Sequence, residues 1–393
     1  MGKLSFTSHK LLTGLILFGI AITFLFITLY FTETATLQQT ITQTKVKINQ
    51  KDQNIQDLND ELNALKSQDQ LVRNNDLETE ITNIQKTYKS AATSYEKLTD
   101  YRLLNSKNTQ LDSLYASAIN MLSERNYTSA EATLNQLNLQ LDNENKKIQE
   151  IKIAANVPTT DTPPANGYQR QQVNIDSGTF TVDIISADLN STRVIVDTAS
   201  ENDCSNNCPV LSLSDYVNRN GAFAGINGSY FCPADYPTCA GKTNSFDTLL
   251  MNKNKKYFNS DNNVYSVVPA VIFSGNWARF ISKSLEWGRD TGVDSVIANQ
   301  PLLVQGNQIA FSDGSDAKWN SKGFRNFIGN KGNVVYIGIV RNATMTEGAK
   351  VLQTLGLENA MNLDSGGSSA LWSGGYKVGP GRNIPNAILF VKK

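Results

Sequence analysis

Asn359-Ala360-Met361-Asn362-Leu363-Asp364-Ser365-Gly366-Gly367-Ser368-Ser369-Ala370-Leu371-Trp372 is where a strand hands over to a polar, glycine-rich turn. The alternating apolar positions of 359–363 predict a strand that delivers Asp364 at its end. Gly366 and Gly367 then free backbone N–H groups to curl into an anion-binding nest, with the hydroxyls of Ser368 and Ser369 beside it. The competing reading is a tight structural turn capped by the Asp side chain.

A strand of this kind needs a sheet around it, and the flanking chain supplies one. From Tyr168 onward short β-rich runs at 179–185, 192–196, 333–340 and 387–391 are punctuated by Gly, Asn and Asp. Helical signal is confined to 211–218 and to 346–355, where Ala349, Val351, Leu352 and Leu355 share a face. These patterns predict a mixed α+β domain over residues 168–393.

Upstream the composition changes completely. Pro158, Pro163 and Pro164 among Thr and Asp mark 158–167 as a stiff linker. Between Glu33 and Val157 there is no Gly, Pro, Cys, Phe or Trp, which favours long helices over any sheet. Ile41, Ile48, Ile55 and Leu62 recur every seven residues, with Leu58, Leu65 and Val72 offset by three, forming a heptad seam that polar Thr44 and Lys51 weaken. A second register follows at Leu77, Ile81, Ile84 and Tyr88. A turn is expected at 105–109, with Ser106 or Thr109 as a cap, and a break at Arg125-Asn126-Tyr127. Leu111, Leu114, Ala118 and Leu122 then face Ala130, Leu134, Leu137 and Leu141 as a helical hairpin. The 33–157 segment therefore reads as a coiled-coil or hairpin stalk, which either dimerises the protein, folds back on itself, or acts as a monomeric spacer.

Residues 11–31 run LLTGLILFGIAITFLFITLYF without a charge, long enough as a helix to cross a hydrocarbon core. Lys3 and Lys10 precede this run and the next cation is Lys45, so the 1–10 leader is expected in the cytoplasm and the remainder outside. A cleaved signal peptide is the rival, but its apolar region is shorter and its exit differs from Thr32-Glu33-Thr34-Ala35.

The balance of 36 Lys plus Arg against 36 Asp plus Glu lacks the basic excess of a nucleic-acid binder. The only histidine is His9, so the α+β domain cannot assemble a Ser-His-Asp or Cys-His nucleophile or a histidine-ligated zinc. Cys204, Cys208, Cys232 and Cys239 fall in the part expected outside the cell, where two disulfides form by one of three connectivities, Cys204–Cys208 with Cys232–Cys239 being the local one. A four-cysteine zinc site is the alternative, without the usual two-residue spacings.

Two further segments concentrate polar and glycine residues. Ala224-Gly225-Ile226-Asn227-Gly228-Ser229-Tyr230-Phe231 ends an apolar strand at an amide, and its Asn-Gly pair by itself favours a hairpin turn. Gly323-Phe324-Arg325-Asn326-Phe327-Ile328-Gly329 sets an isolated Arg among apolar neighbours, as an anion clamp or a structural ion pair. Gly379-Pro380-Gly381-Arg382 places a second Arg before Asn386 and the last strand. Asp247, Asp294 and Asp364 have no spacing typical of a cation site, and neither metal nor cofactor is assigned.

Taken in order, these blocks resemble the phosphodiester glycosidases over roughly residues 210–393. Residues 225–231 are similar to the family's Asn-Gly-Gly-Tyr-Phe stretch, and 362–369 to its Asn-Leu-Asp-Gly-Gly-Gly-Ser-Ser signature. Pro301 to Val304 with Gly306, Arg325 and Arg382 resemble the remaining blocks. Gly323-Phe324-Arg325-Asn326 stands where the family carries His-x-Arg-Thr, Ser365 replaces a glycine, and Gly381 replaces an acidic residue. The resemblance implies hydrolysis of a sugar-1-phosphate diester, with Asp364 as base, nucleophile or cation stabiliser, Arg325 and Arg382 on the phosphate, and Asn227 on sugar hydroxyls. Gly228, Tyr230, Gly366, Gly367, Ser368, Ser369 and Asn386 would line the substrate. The expected protein is a membrane-anchored extracellular hydrolase acting on envelope polymers or exopolysaccharide, able to self-associate through its stalk. A stalked module that binds such phosphoglycans without cutting them is the alternative.

Overall fold

The computed structural model describes residues 5–104, 108–151, 157–261, 267–311 and 317–393. The chain divides into two compact units, Met1–Asn83 and Ile84–Lys393. The first contains helix α1 (Ser5–Lys66) and the start of α2 (Asp69–Leu104). From Thr13 onward α1 is long and apolar enough to cross a membrane, and its side chains from Leu15 to Phe31 are exposed. The seam residues Ile41, Ile48, Ile55, Leu58, Leu62 and Leu65 are also exposed in the single chain, as are Leu77 and Ile81 of the second register.

The second unit begins inside α2, so 84–151 is compact with the sheet domain and the expected linker is not the division. Helices α3 (Thr109–Ser123) and α4 (Tyr127–Ile151) pack against the C-terminal half of α2. Leu98 and Tyr101 of α2 close over Leu111, Leu137 and Leu141, while Ala91 meets Ala118, Leu122, Ala130 and Leu134. The small residues let the helices approach, and the leucines fill the remaining space. The sequence pattern showed the facing pair, and the third helix makes it a three-helix bundle. The α3 cap is Asn108, whose side chain accepts from the backbone N–H of Gln110 and Leu111; Ser106 lies outside the described residues. The break at 125–127 has Arg125 at φ 59° and Asn126 accepting from Ser129 N–H.

The linker is pinned rather than free. Thr160 N–H donates to Gln172 O, Gln172 N–H to Pro158 O, and the Gln171 amide to the carbonyls of Thr160 and Thr162. Beyond it the described residues form three antiparallel sheets. The largest runs in the order Gly167–Ile175, Gly178–Asp188, Val334–Ala343, Gly323–Lys331, Asn359–Asn362, Leu302–Gln305, Gln308–Ile309. The second runs Tyr376–Val378, Leu371–Ser373, Ala224–Asn227, Asn386–Lys392, Thr192–Thr198, and the third is a five-stranded sheet around Ser295–Ala298. Ile185, Ile337 and Met361 of the first, Val196, Ile226 and Ile388 of the second, and Val271 and Ile297 of the third share one core. Helix α5 (Leu213–Asn220) covers the outer face of the second sheet. After the short α6 (Ala317–Asn320), α7 (Met345–Thr354) buries Ala349, Val351 and Leu352 against the other face of the first sheet. Long helices followed by a sheet-rich domain is thus the architecture; the strands at 179–185, 192–196 and 387–391 fall inside observed ones, and that at 333–340 overlaps one that begins at Val334.

One local expectation fails. Asn227-Gly228 is not a hairpin turn: the strand Ala224–Asn227 pairs with Leu371–Ser373 on one side and Asn386–Lys392 on the other, and after it the chain leaves the sheet. The Asn-Gly pair is satisfied by a neighbouring segment instead. A Cβ at Gly228 would lie 1.9 Å from Asn386 Oδ1, so glycine is required by close approach.

Candidate active site

The ends of Ala224–Asn227, Gly323–Lys331 and Asn359–Asn362 converge, and buried asparagines tie them together. Asn227 Oδ1 accepts from Asn326 Nδ2 at 2.7 Å and from Ala370 N–H at 3.1 Å, while its Nδ2 donates to the Asp364 carbonyl at 2.7 Å. Ser369 Oγ donates to Asn326 Oδ1, and Asn326 N–H donates to Ser365 Oγ. Asn386 Oδ1 accepts from Ser229 N–H, and Asn362 Nδ2 donates to Tyr230 Oη. Asn227, Asn326, Asn362, Ser369 and Asn386 are all at most 1% exposed, so their polar atoms turn to one another and to the backbone, with only Asn362 Oδ1 of the five left without a hydrogen-bond partner among the described residues. The amide of Asn227 is therefore spent on holding Asp364 and the 369–370 backbone, rather than turned toward a ligand.

This scaffold presents Asp364 to a cavity of about 660 Å³. Its carboxylate accepts from Ser365 N–H at 2.9 Å. Although part of the residue stays open to the cavity, burial pushes its carboxyl up to about 7; hydrogen bonding to Ser368 and the charge of Arg382 pull it down, and Asp100 adds to the rise. Tyr230, Arg325, Gly366, Ser368 and Arg382 join Asp364 in the wall. Gly228, Gly367, Ser369 and Asn386 stand with Asn227 outside that lining. Burial also pushes the Tyr230 hydroxyl far above its ordinary range, so it stays protonated.

The two arginines differ. Arg325 turns its guanidinium onto the backbone carbonyls of Lys318, Ser321 and Phe324, bracing the loop before its own strand. Arg382 donates to Ser368 Oγ at 3.3 Å, to Asp235 Oδ2 at 3.1 Å and to Asp100 Oδ1 at 2.5 Å, and it stacks over the Tyr236 ring. Its Nε is buried without a hydrogen-bond partner.

Asp100 is the functional surprise. It belongs to α2, in the region expected to be a stalk, and it accepts from Tyr236 Oη at 2.8 Å as well as from Arg382. A Cβ placed on Gly366 or Gly367 would come within 2.6 Å of its carboxylate oxygens, so that carboxylate rests directly on the glycine backbone. Gly366 adopts φ 68°, a conformation that favours glycine. One turn earlier, Glu96 is paired with Lys318 at 2.9 Å and hydrogen-bonded to Thr238. An i, i+4 pair of acids on one helix face is ordinarily a solvated surface, and nothing in the sequence marks these two as meeting residues more than a hundred positions away. Cys232–Cys239 closes the loop carrying Tyr236 and Asp235, and Cys204–Cys208 forms the other bridge, the local connectivity. Asp294, one of the three carboxylates considered for a cation, instead pairs with Arg193.

Residues 220–391 match the phosphodiester glycosidase family. This match supports a phosphodiester glycosidase-type hydrolase domain over those residues. No curated protein matches the chain. Among solved structures, the catalytic domain of zebrafish N-acetylglucosamine-1-phosphodiester α-N-acetylglucosaminidase is similar at 15% identity and TM-score 0.45, covering 60% of this chain and 87% of that one. A hypothetical protein from Synechocystis is similar at 14% identity and TM-score 0.40, covering 57% of this chain and 62% of that one.

Proposed function

We propose that the protein hydrolyses the glycosidic bond of sugar-1-phosphate diesters in cell-envelope polymers or exopolysaccharide. The observation that carries this reading is the juxtaposition of Asp364 with Gly366, Ser368 and Arg382 in one cavity. A phosphomonoester leaves without full protonation because its second pKa is near 6, so what the site must supply is charge stabilisation for the leaving group and a base for water. Asp364, pushed to about 7, is poised for the second task near neutral pH. Water attacks the anomeric carbon and passes a proton to Asp364. The bond from that carbon to the phosphate oxygen breaks with its electron pair on the oxygen, and the phosphomonoester is held by Arg382 and the nest.

The Asp100 carboxylate already sits on Arg382, where that phosphate would be, which is itself a sign that Arg382 accepts an anion there. The substrate has to displace it. Asn227, Asn386 and Ser369 support the site through the backbone they hold, while Tyr230 and Ser368 offer hydroxyls to the ligand.

The rest of the chain supports a placement for the enzyme. The apolar segment of α1 anchors it as a single-pass protein, and the disulfides suit an extracellular head. The exposed seam of α1 is available to a second copy of the chain. The engagement of both arginines by the protein itself favours a second reading, a stalked module that binds phosphoglycans without cutting them. Incubating the full chain in detergent with N-acetylglucosamine-1-phosphate diesters and other sugar-1-phosphate diesters decides between them. Free sugar with a phosphomonoester, detected by mass spectrometry and lost in Asp364→Asn, supports hydrolysis; binding without release supports the module.

A further inference from the structure

The cavity wall contains a second group of cations that the chemistry at Asp364 does not use. Asp183, fully buried on the strand Gly178–Asp188, accepts from Arg170 Nε at 2.8 Å, Arg341 Nε at 2.6 Å and Tyr168 Oη at 2.7 Å. The Lys377 ammonium lies 4.9 Å from the centre of the Tyr168 ring, and the Arg341 guanidinium 5.4 Å from that of Phe324. Arg170, Arg341, Lys377 and Phe324 all line the cavity that holds Asp364 and Arg382. Two arginines thus share one carboxylate, where a structural ion pair needs only one, and Lys377 adds a third cation beside them over the Tyr168 ring.

The other acids of the cavity do not redress the balance. Glu96 is taken by Lys318 and Asp100 by Arg382, while the cation acting on Asp142 is Lys97. The excess positive charge has a direction. Phe324 immediately precedes Arg325, and Lys377 lies on the segment that leads through Gly379 and Pro380 to Arg382. The cluster therefore lines the same cavity as the proposed phosphate position.

We propose that Arg170, Arg341 and Lys377 form a second anion subsite that binds a neighbouring phosphate of the same substrate chain. The substrate class is then a polyanion with phosphodiesters at successive repeats, rather than an isolated sugar-1-phosphate diester. This inference rests on the hydrolase reading for the role of the first phosphate. Guanidinium groups suit it because they keep their charge and present several donors to phosphate oxygens. The aromatic faces of Tyr168 and Phe324 hold the cations in place at little cost in water.

The test compares two synthetic ligands of the same sugar, one with a single phosphodiester and one with two, using the full chain in detergent. Binding is measured by calorimetry on Asp364→Asn, and turnover on the unmodified chain. The two-phosphate ligand is expected to bind about tenfold more tightly, the size of one good charged contact. Lys377→Gln is expected to bring that ratio close to one. This variant leaves Asp183 with both arginines, so folding is preserved; Arg170→Gln, checked by circular dichroism, provides an independent second variant. Equal binding of the two ligands, or a ratio unchanged in both variants, overturns the subsite. If the two-phosphate preference appears and disappears as expected but neither ligand is cleaved, the subsite stands and the hydrolase reading falls.

Discussion

Replacing Asp364 with Asn separates the cost of holding this carboxyl in place from the activity it gives. An ordinary aspartate titrates at 3.8, and burial pushes this one up to about 7. The folded protein consequently keeps a proton that the unfolded chain releases, and stability falls as pH rises from the lower value to the higher. Over that window the gap amounts to at most about 4 kcal/mol at roughly 1.4 kcal/mol per pH unit. Because part of the residue is open to the cavity, about 2 kcal/mol is the expected cost. Asn keeps the shape and removes the titration. Asp364→Asn should therefore be more stable than the unmodified chain by about 2 kcal/mol at pH 8, and indistinguishable from it near pH 4. All four tryptophans lie beyond residue 276, so urea unfolding followed by tryptophan fluorescence reports on this domain alone. Turnover should fall by roughly a thousandfold or more in the same variant, the usual loss of a general base. Parallel stability curves for the two proteins between pH 4 and 8, or retained turnover, would refute the placement of a strained base at Asp364.

Three other outcomes follow from the same geometry. Asp100→Asn removes the anion resident on Arg382 and the nest, so the KM for a single-phosphate diester should drop about tenfold, and the rise of kcat/KM with pH should begin below 7 because one negative charge no longer acts on Asp364; a higher KM would mean that Asp100 helps to hold substrate. Arg382→Gln should lower kcat/KM by roughly a hundred- to a thousandfold, with Arg382→Lys recovering little because one ammonium cannot reach Ser368, Asp235 and a phosphate together; steady-state kinetics measure both. Gly228→Ala forces a methyl into Asn386 and should destabilise the domain by about 2–3 kcal/mol, read as a lower urea midpoint with tryptophan fluorescence.

The central strand-to-turn stretch was readable because its chemistry is local. A period-two strand, an Asp at its end and consecutive glycines lie within fourteen residues, so the sequence places Asp364 beside the nest before any folding is considered. Both disulfides, Cys204–Cys208 and Cys232–Cys239, join near neighbours and follow for the same reason. The apolar run of 11–31 and the absence of helix breakers through 157 likewise announce themselves, since membrane length and helix propensity are properties of a continuous segment.

Other features depended on residues distant in the chain. The Asn-Gly pair at 227–228 carries the mark of a hairpin, yet Asn386 fills the space that makes glycine necessary and Ala370 and Asn326 satisfy Asn227. Arg325 looked like an anion clamp, but the carbonyls that it braces come from the loop folded beneath it. Above all, Glu96 and Asp100 resemble two of many solvated acids on a long helix. Only the packing of Leu98 and Tyr101 against α3 and α4 fixes the turn of α2 that carries them, bringing Asp100 onto Arg382. Sequence by itself determined the chemistry that lies along the chain: the strand, the acid, the nest, the bridges and the apolar segment. Tertiary structure alone decided which charges meet, because the energy of an ion pair depends on distance and exposure in space, and a helix face records neither.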